Sequence, residues 1–307
     1  NDGRKFIPDA LKKGAKYIVS SKVIKKYKKK TIIVKNEISF LKQFAMLKRL
    51  KSLAKIIAIT GSAGKTSLKN LIKELLQNFE ETHSSPRSFN NHLGVPVSLS
   101  NLSTEDRYGV FEVGMSKSGE INDLSKLIQP HVGIITNIGE AHIENFKNLN
   151  AIAKTKSEII ENINKDGYLI LNREDKYFNY LSKIAKKRKI NVLSFGKSSK
   201  SNAKLVKNEV YENYNHLHFR VLNKNIYLKI KNVNLLTISN ILFTLLALHV
   251  LDLDSTNIIN FSNYFQSIEG RGKTHFISRY KKKFQLIDES YNANPSSVKN
   301  AINNFSN

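Results

Sequence analysis

Cysteine is absent from this 307-residue chain, which excludes disulfide bonds and thiolate metal sites. Acidic residues are scarce, since 25 Asp and Glu stand against 50 Lys and Arg, a formal net charge of +25. No apolar run reaches the roughly 18 residues that a transmembrane helix needs. Together with the lack of a visible secretory signal, these absences favour a cytoplasmic protein without a membrane-inserted segment.

The positive charge by itself suggests nucleic acid or an anionic membrane as a partner. The lysines are nevertheless spread along the whole chain among abundant Asn and Ile, as biased codon usage would produce. The densest basic runs lie beside predicted helix ends or strand edges, and none interleaves aromatic residues like a base-stacking platform. We therefore expect solvated surface lysines and no nucleic-acid partner, with a P-loop protein acting on nucleic acid as the alternative.

Regular alternation of strands and helices begins near residue 54 and predicts an α/β fold with a mostly parallel sheet covered on both faces. The chain is long enough for two or three domains. Residues 1–53 predict a small α/β unit that ends in a helix at Ile38–Leu53. The predicted strands of the central unit are Ile56–Thr60, Val110–Val113, Val132–Asn137, Tyr168–Leu171 and Val192–Phe195.

The pattern changes twice in the second half of the chain. A period of two predicts an antiparallel meander of three strands, Lys204–Val210, His216–Leu222 and Ile226–Ile230. Two helices are predicted after it, at Leu235–Leu251 and Ser255–Phe265. A third unit is expected to follow, with a strand at Phe284–Asp288 and a helix after Pro295. The predicted domains are 1–53, 54–270 and 271–307. We expect a fragment that lacks both ends, because the chain starts with Asn1 and stops just after a motif.

The segment IAITGSAGKTSLKNLI leads from an apolar strand through a glycine turn into an amphipathic helix. Its loop, Gly61-Ser62-Ala63-Gly64-Lys65-Thr66-Ser67, presents backbone N–H groups at a helix N-terminus, which favours an anion. Lys65 can reach the outer phosphates of a nucleotide, and Thr66 can bind Mg²⁺. The full Walker pattern has a glycine at the position of Ile59. The alternative to a nucleotide-binding loop is therefore an ordinary glycine turn with a surface lysine.

Acidic and imidazole side chains are predicted to lie at the same edge of the sheet as this loop. Glu112 stands near the end of a predicted strand, and Asn137 and His142 follow the end of the next. Ligands bind at the carboxyl ends of strands in open parallel sheets, and Mg²⁺ needs oxygen ligands beyond the phosphates. Glu112 is thus a candidate metal ligand, whereas a lone histidine such as His142 is more often structural.

Lys156 occupies a position that the helical pattern assigns to the buried side. The spacing of Leu149, Ile152 and Ala153 points next to residue 156. A lysine there needs a partner or a purpose: either it snorkels to water, or it is an active-site amine with a lowered pKa. A neutral amine can take up CO₂ to give a carbamate that binds a second Mg²⁺. Lys154 is an alternative, but it points about 160° away on the helix.

Six motifs in one order carry a resemblance to a known family. They are GSAGKTS, SFNNHLGVPVSL, FEVGMSKSGEI, TNIGEAHIENF, AKTKSEI and IDESYNANPSSV. Over nearly its whole length the chain resembles the Mur ligases. The blocks FNNHLGVP and SYNANP resemble one branch, whose members join D-alanyl-D-alanine to UDP-N-acetylmuramoyl-tripeptide with ATP, in peptidoglycan precursor synthesis.

The resemblance implies roles for individual residues. ATP would be held by Gly61 to Ser67, and Mg²⁺, with two ions expected, by Thr66, Glu112, His142 and a carbamoylated Lys156. Further contacts to the nucleotide would come from Asn240, Arg271, Asp288, Glu289, Tyr291, Asn292 and Asn294, and contacts to the muramoyl peptide from Asn90 and Asn91. Lys65, Lys156 and His142 are the catalytic candidates. Leu236 stands where the family often has a histidine, so one nucleotide contact is expected to differ.

The implied reaction is amide formation through an acyl phosphate and ADP, by a monomeric enzyme, and it requires no serine or cysteine nucleophile. Alternatives are another Mur-type or folylpolyglutamate-type ligase, a P-loop protein acting on nucleic acid, or a non-catalytic binding module. The sequence distinguishes neither lysine from diaminopimelate as the third peptide residue nor the identity of a general base.

Overall fold

The computed structural model describes residues 3–212, 214–231, 233–255, 270, 273–279, 282–290, 298 and 301–302. The first unit combines α1 (Ile7–Lys12), β1 (Ile18–Ser20), β2 (Thr31–Ile33) and α2 (Glu37–Lys51). β1 and β2 pair in parallel. Asn36 begins α2 as its N-cap, because its side chain accepts a hydrogen bond from the backbone N–H of Ser39.

A nine-stranded sheet forms the centre of the molecule. In chain order its strands are β3 (Lys55–Thr60), β4 (Thr82–Ser84), β5 (Tyr108–Glu112), β6 (Val132–Ile135), β7 (Tyr168–Asn172), β8 (Asn191–Phe195), β9 (Ala203–Tyr211), β10 (Tyr214–Val221) and β11 (Lys224–Ile230). They lie in the order β11-β10-β9-β8-β7-β6-β3-β5-β4. All neighbours from β4 to β9 are parallel, and β9, β10 and β11 are antiparallel. The predicted α/β class with a mostly parallel sheet is confirmed.

Helices cover the sheet on both faces and define two hydrophobic cores. They are α3 (Lys65–Leu76), α4 (Gly94–Ser100), α5 (Glu120–Ile128), α6 (Leu149–Ser157), α7 (Phe178–Lys187) and α8 (Leu235–Val250). On one face α3 and α8 pack through residues such as Leu68 and Leu245. On the other face α2, α4, α5, α6 and α7 share a core that includes Ala45, Val95 and Ile152. The central strands are therefore buried on both sides and read as continuous apolar runs.

Several elements differ from the sequence-based expectations. β4 was not predicted, because three residues with two polar side chains leave no periodic signal. The meander was predicted, but not its junction with the parallel sheet, which is the pairing of Phe195 with Ala203. In the third unit, β12 (Lys273–Arg279) pairs antiparallel with β13 (Lys282–Asp288), and only β13 was expected. The predicted helix Ser255–Phe265 lies outside the described residues except for Ser255.

Among the described residues, no helix is both long and apolar enough to cross a membrane. The predicted domain boundaries at residues 53 and 270 stay predictions.

Arg49 of α2 hydrogen-bonds to the end of α5. It is 7% exposed, and its Nε and Nη2 donate to the carbonyl oxygens of Ile128 at 2.7 Å and Gln129 at 2.9 Å. These carbonyls end α5, where the helix dipole favours a cation. Gln129 itself turns into the left-handed region at φ 46°, so the guanidinium satisfies acceptors at an abrupt helix end.

Replacing Arg49 by Met is expected to lower the free energy of unfolding by about 2 kcal/mol, because carbonyls bound by a cation lose their donor. Urea unfolding followed by circular dichroism measures the change. Lys51→Met is the matched control, since Lys51 is exposed at the end of the same helix and should change the value by less than about 0.5 kcal/mol. Equal effects of the two substitutions would contradict this role for Arg49.

Candidate active site

The phosphate loop lies between β3 and α3, as the sequence predicts. Gly64 is the N-cap of α3 and adopts φ 81°, a left-handed conformation that glycine accepts without strain. Gly61 has φ 147°, and a Cβ there would lie 1.8 Å from Thr136 Oγ1. Both glycines are therefore required by the backbone path. Lys65 begins the helix, and its Nζ donates to the carbonyl oxygen of Gly61 at 2.9 Å.

Residues that follow β6 hold this loop in shape. Thr136 Oγ1 donates to the carbonyl oxygen of Ala63 at 2.6 Å. Asn137 Oδ1 accepts from the backbone N–H groups of Ser62 at 3.1 Å and Ala63 at 3.0 Å. Ser62 Oγ donates to the carbonyl oxygen of Gly139 at 2.8 Å. The loop conformation thus depends on the neighbouring strand end and not on the loop sequence alone.

Glu112 joins the phosphate loop to a second loop. Its carboxylate is 1% exposed at the end of β5. Oε2 accepts from Thr66 Oγ1 at 2.7 Å, and Oε1 accepts from Asn90 Nδ2 at 2.7 Å. Within the part of the chain that the structure describes, these are the hydrogen bonds that the carboxylate accepts, and both donors are neutral, so it retains unfilled acceptor capacity. The glutamate, the threonine hydroxyl and the phosphate loop thus place hard oxygen donors together, which suits Mg²⁺.

Lys156 is buried, as the helical spacing of α6 indicates. It is 2% exposed, and burial, followed by the charge of Lys65, holds its pKa well below the ordinary lysine value. Within the described part of the chain, no hydrogen bond or ion pair reaches its ammonium group. The position therefore favours a neutral amine or a modified one over a cation. Lys154 is exposed on the same helix.

His142 lies in the loop after β6 and lines the same cavity as Glu112. Its pKa is lowered by partial burial and then by the positive charges of Lys65 and Lys156, against the opposing effect of Glu144 and Glu120. The positive charges of Lys65 and Lys156 therefore both disfavour protonation of His142. His142 also adopts φ 63°, a region in which histidine is several-fold enriched.

A cavity of about 640 Å³ contains most of the predicted site. The predicted residues that line it are Ser62, Ala63, Gly64, Lys65, Thr66, Ser67, Asn90, Asn91, Glu112, His142 and Glu289. Lys42, Glu120 and Asp123 extend it towards α2 and α5. The described part of the chain contains no cluster of three or more His, Asp or Glu side chains placed to hold a metal. A metal held here would thus need, besides Glu112, ligands such as the Thr66 hydroxyl and phosphate oxygens.

Some predicted residues are not brought to the cavity or lie outside the described residues. Asn240 is buried in α8, and Leu236, one turn earlier, lines the cavity instead. Asp288 accepts from the backbone N–H groups of Gly270 at 2.9 Å and Ser290 at 3.0 Å, so it shapes a turn of the third unit. Arg271, Tyr291, Asn292 and Asn294 lie outside the described residues. Their roles stay predictions.

The two predicted substrate asparagines differ in their surroundings. Asn90 binds Glu112, as described above. Asn91 Oδ1 accepts from the backbone N–H groups of Leu93 at 3.1 Å and Gly94 at 2.8 Å, which stabilises the turn that leads into α4. No sequence pattern indicated a role for Thr136 or Lys69, and Asn137 was predicted only to lie at the rim, although all three bind loops of this site. A polar residue directly after a buried strand was the only available signal for Thr136 and Asn137.

Comparison with known proteins finds a matching family and similar curated proteins. The family model of the Mur ligase middle domain matches residues 59–249. The UDP-N-acetylmuramoyl-tripeptide–D-alanyl-D-alanine ligase of Rickettsia prowazekii is 36% identical over 303 residues, which cover 98% of this chain and 67% of that protein. The ligase of the same name from Buchnera aphidicola of Acyrthosiphon pisum is 40% identical over 66% of this chain and 44% of its own length.

Solved structures of MurF have the same fold. The MurF structure from Acinetobacter baumannii superposes with a TM-score of 0.86 at 26% identity, covering 99% of this chain and 65% of that one. The MurF structure from Thermotoga maritima in complex with ADP gives a TM-score of 0.82 at 27% identity, covering 99% and 68%. This chain spans about two thirds of the length of these relatives. Because the family model covers more than half of the chain and the Rickettsia ligase is 36% identical over 98% of it, the chain belongs to the Mur ligase family.

Proposed function

We propose that the protein is an ATP-dependent, ADP-forming ligase that joins D-alanyl-D-alanine to UDP-N-acetylmuramoyl-tripeptide in cytoplasmic peptidoglycan precursor synthesis. The observation that carries the proposal is the hydrogen bond between Thr66 of the phosphate loop and the buried Glu112 at the end of β5. The buried Lys156, whose pKa is lowered in part by the charge of Lys65, supports it. The names of the Rickettsia and Buchnera relatives support the choice of substrates. The ADP complex of the Thermotoga relative supports the nucleotide.

The chemical difficulty is that a carboxylate must approach a triphosphate although both are anions. In the proposed first step, an oxygen of the peptide carboxylate attacks the γ-phosphorus, an acyl phosphate forms and ADP leaves. In the second step, the amine of D-alanyl-D-alanine attacks the acyl carbon, phosphate leaves and the nitrogen loses a proton. Neither step needs a protein nucleophile, so positioning and charge stabilisation are the contributions of the chain.

The chain provides this stabilisation from fixed groups. Lys65 and the N-terminal amides of α3 present positive charge to phosphate oxygens. Thr66 and Glu112 would hold Mg²⁺, which when bound would neutralise phosphate charge and polarise the γ-phosphate.

His142 favours its neutral form because its pKa is lowered, so near neutral pH its ring can bind a metal or accept a proton. It is our candidate for both roles.

Lys156 completes the proposed metal site as a carbamate. A cation at its position would meet low-dielectric surroundings and the charge of Lys65. Reaction of the neutral amine with CO₂ forms an N–C bond and releases one proton. The product is an anion with two oxygens, so it reverses the sign of the interaction with Lys65 and provides oxygen ligands for a second Mg²⁺.

The remaining predicted nucleotide residues belong to the third unit and to α8. We propose that Arg271, Asp288, Glu289, Tyr291, Asn292 and Asn294 approach the nucleotide when the third unit closes over the phosphate loop, and that Asn240 contributes from α8. Glu289 and Gly270 line the cavity, which supports this direction of closure. Closure of this kind would exclude water from the acyl phosphate.

Asn90 and Asn91 would face the muramoyl peptide. We also propose that the enzyme acts as a monomer.

The function is tested by coupled ADP release from the full-length protein with ATP, Mg²⁺ and the UDP-tripeptide, with and without D-alanyl-D-alanine. We expect release to depend on the dipeptide and an amide product to appear by mass spectrometry. The third residue of the tripeptide is varied between lysine and diaminopimelate. Turnover with a single amino acid and no response to the dipeptide would assign the protein to a different ligase of the family.

Lys156→Ala is expected to reduce ligase turnover by at least about 100-fold, as loss of a group that tunes or binds a catalytic metal commonly does. Wild-type activity should also fall when bicarbonate and CO₂ are removed and return when they are restored. ¹³C-bicarbonate NMR of the wild type should show a carbamate signal that Lys156→Ala lacks. Lys154→Ala, on the exposed side of α6, is the control and should retain both activity and signal. Unchanged turnover after both treatments would reject the carbamate.

The lowered pKa of Lys156 predicts a pH-dependent cost to stability. Between its folded pKa and the unfolded value of about 10.4, the unfolded state binds more protons, so the free energy of unfolding rises with pH in this window. Lys156→Met should therefore be more stable than the wild type near neutral pH in CO₂-free buffer, and the difference should shrink towards about pH 10. Urea unfolding at several pH values measures it. Lys154→Met should show no such trend, and a pH-independent difference for Lys156→Met would contradict the assignment.

A further inference from the structure

Lys69 is a fully buried lysine on the phosphate-loop helix, one turn after Lys65. It is 1% exposed, and it lies in α3 between apolar neighbours that form the core. Taking an ammonium out of water is costly unless other groups replace the lost hydration. An apolar residue of similar size would fill the same volume without this cost, so the charge itself must serve the surroundings.

The ammonium group of Lys69 binds the main chain of the loop that follows β4. Its Nζ donates to the carbonyl oxygen of Ser85 at 2.6 Å and to that of Arg87. Arg87 adopts φ 45°, a left-handed conformation that is unfavourable for a residue with a Cβ. The lysine thus satisfies two carbonyl groups that the loop turns inward, one of them at a strained residue.

This loop carries side chains to Thr66 and Glu112. Ser88 Oγ lies 3.5 Å from Thr66 Oγ1, and Asn90 Nδ2 donates to Glu112 Oε1. Ser85 Oγ in addition accepts from the backbone N–H of Glu112 at 3.2 Å. The segment 85–91 therefore contacts the carboxylate through Asn90, the main chain of Glu112 through Ser85 and the Thr66 hydroxyl through Ser88. Lys69 binds the backbone of this segment from α3.

We propose that Lys69 is a positioning residue for the metal and phosphate end of the site. Its ammonium fixes the segment 85–91, so that Asn90 holds the Glu112 carboxylate in the orientation that Mg²⁺ and the nucleotide require. The inference rests on the proposed function only in that the site binds a nucleotide with Mg²⁺. Lys69 acts through Asn90 and contacts neither substrate nor metal.

The test compares Lys69→Met with Lys73→Met, which replaces a half-buried lysine one turn further along the same helix. Hydrogen exchange of the ligand-free protein is expected to become about tenfold faster in the segment 85–91 for Lys69→Met alone. The dissociation constant for ADP in the presence of Mg²⁺, measured by calorimetry, should rise about tenfold, because loss of a group that orients a metal ligand commonly weakens metal binding by about this factor or more. ADP binding without Mg²⁺ should change much less.

A double-mutant cycle separates positioning from general stability. If Lys69 acts through Asn90, then Asn90→Ala should weaken Mg²⁺-dependent ADP binding much less in the Lys69→Met background than in the wild type. If Lys69→Met does not fold, Lys69→Gln serves in its place, because it keeps an N–H donor but has neither the charge nor the reach. Unchanged exchange in the segment 85–91, or additive effects of the two substitutions, would overturn the inference. Failure of the wild type to make the peptide product would reject the proposed ligase. Hydrogen exchange in the segment 85–91 and Mg²⁺-dependent ADP binding would still test the role of Lys69.

Discussion

The arrangement of the site depends on one buried carboxylate. Glu112 lies at the end of β5 with almost no exposure to solvent, and it is bound on one side by Thr66 and on the other by Asn90. These three residues come from the phosphate-loop helix, a central strand and the loop after β4. Because a buried carboxylate is costly without hydrogen-bond partners, its bonds to Thr66 and Asn90 determine how closely the three segments approach one another.

Lys65, Lys69 and Lys156 are distinguished by the surroundings of their side-chain amino groups. Lys65 lies at the helix start and lines the cavity. Lys69 is buried and binds carbonyl oxygens of the following loop. Lys156 is buried without a hydrogen-bonding partner among the described residues, and burial lowers its pKa. The same side chain can thus present charge to phosphate, organise the main chain or provide a neutral amine, and the local dielectric and acceptors decide which.

The regular alternation of apolar strands and amphipathic helices made the α/β class predictable, because sheet and helix periodicities are local properties. The phosphate loop was predictable for the same reason: Gly61, Gly64, Lys65 and Thr66 are contiguous, and their strand–loop–helix context is visible in the sequence. The spacing of α6 also indicated that Lys156 faces inward, and it is 2% exposed. By contrast, β4 and β12 were missed, because short or alternating polar segments give weak signals.

The sequence by itself determined the class of fold, the phosphate loop and the inward position of Lys156, since each follows from residue types at fixed local spacing. Only the tertiary structure decided three contacts by hydrogen bonding: Asn137 with the phosphate loop, Asn90 with Glu112, and Lys69 with the backbone of the segment 85–91. These contacts join residues that are 16 to 75 positions apart in the chain. Such pairs depend on which strands become neighbours and in which register, and no local pattern specifies the order in which β6, β3, β5 and β4 lie side by side.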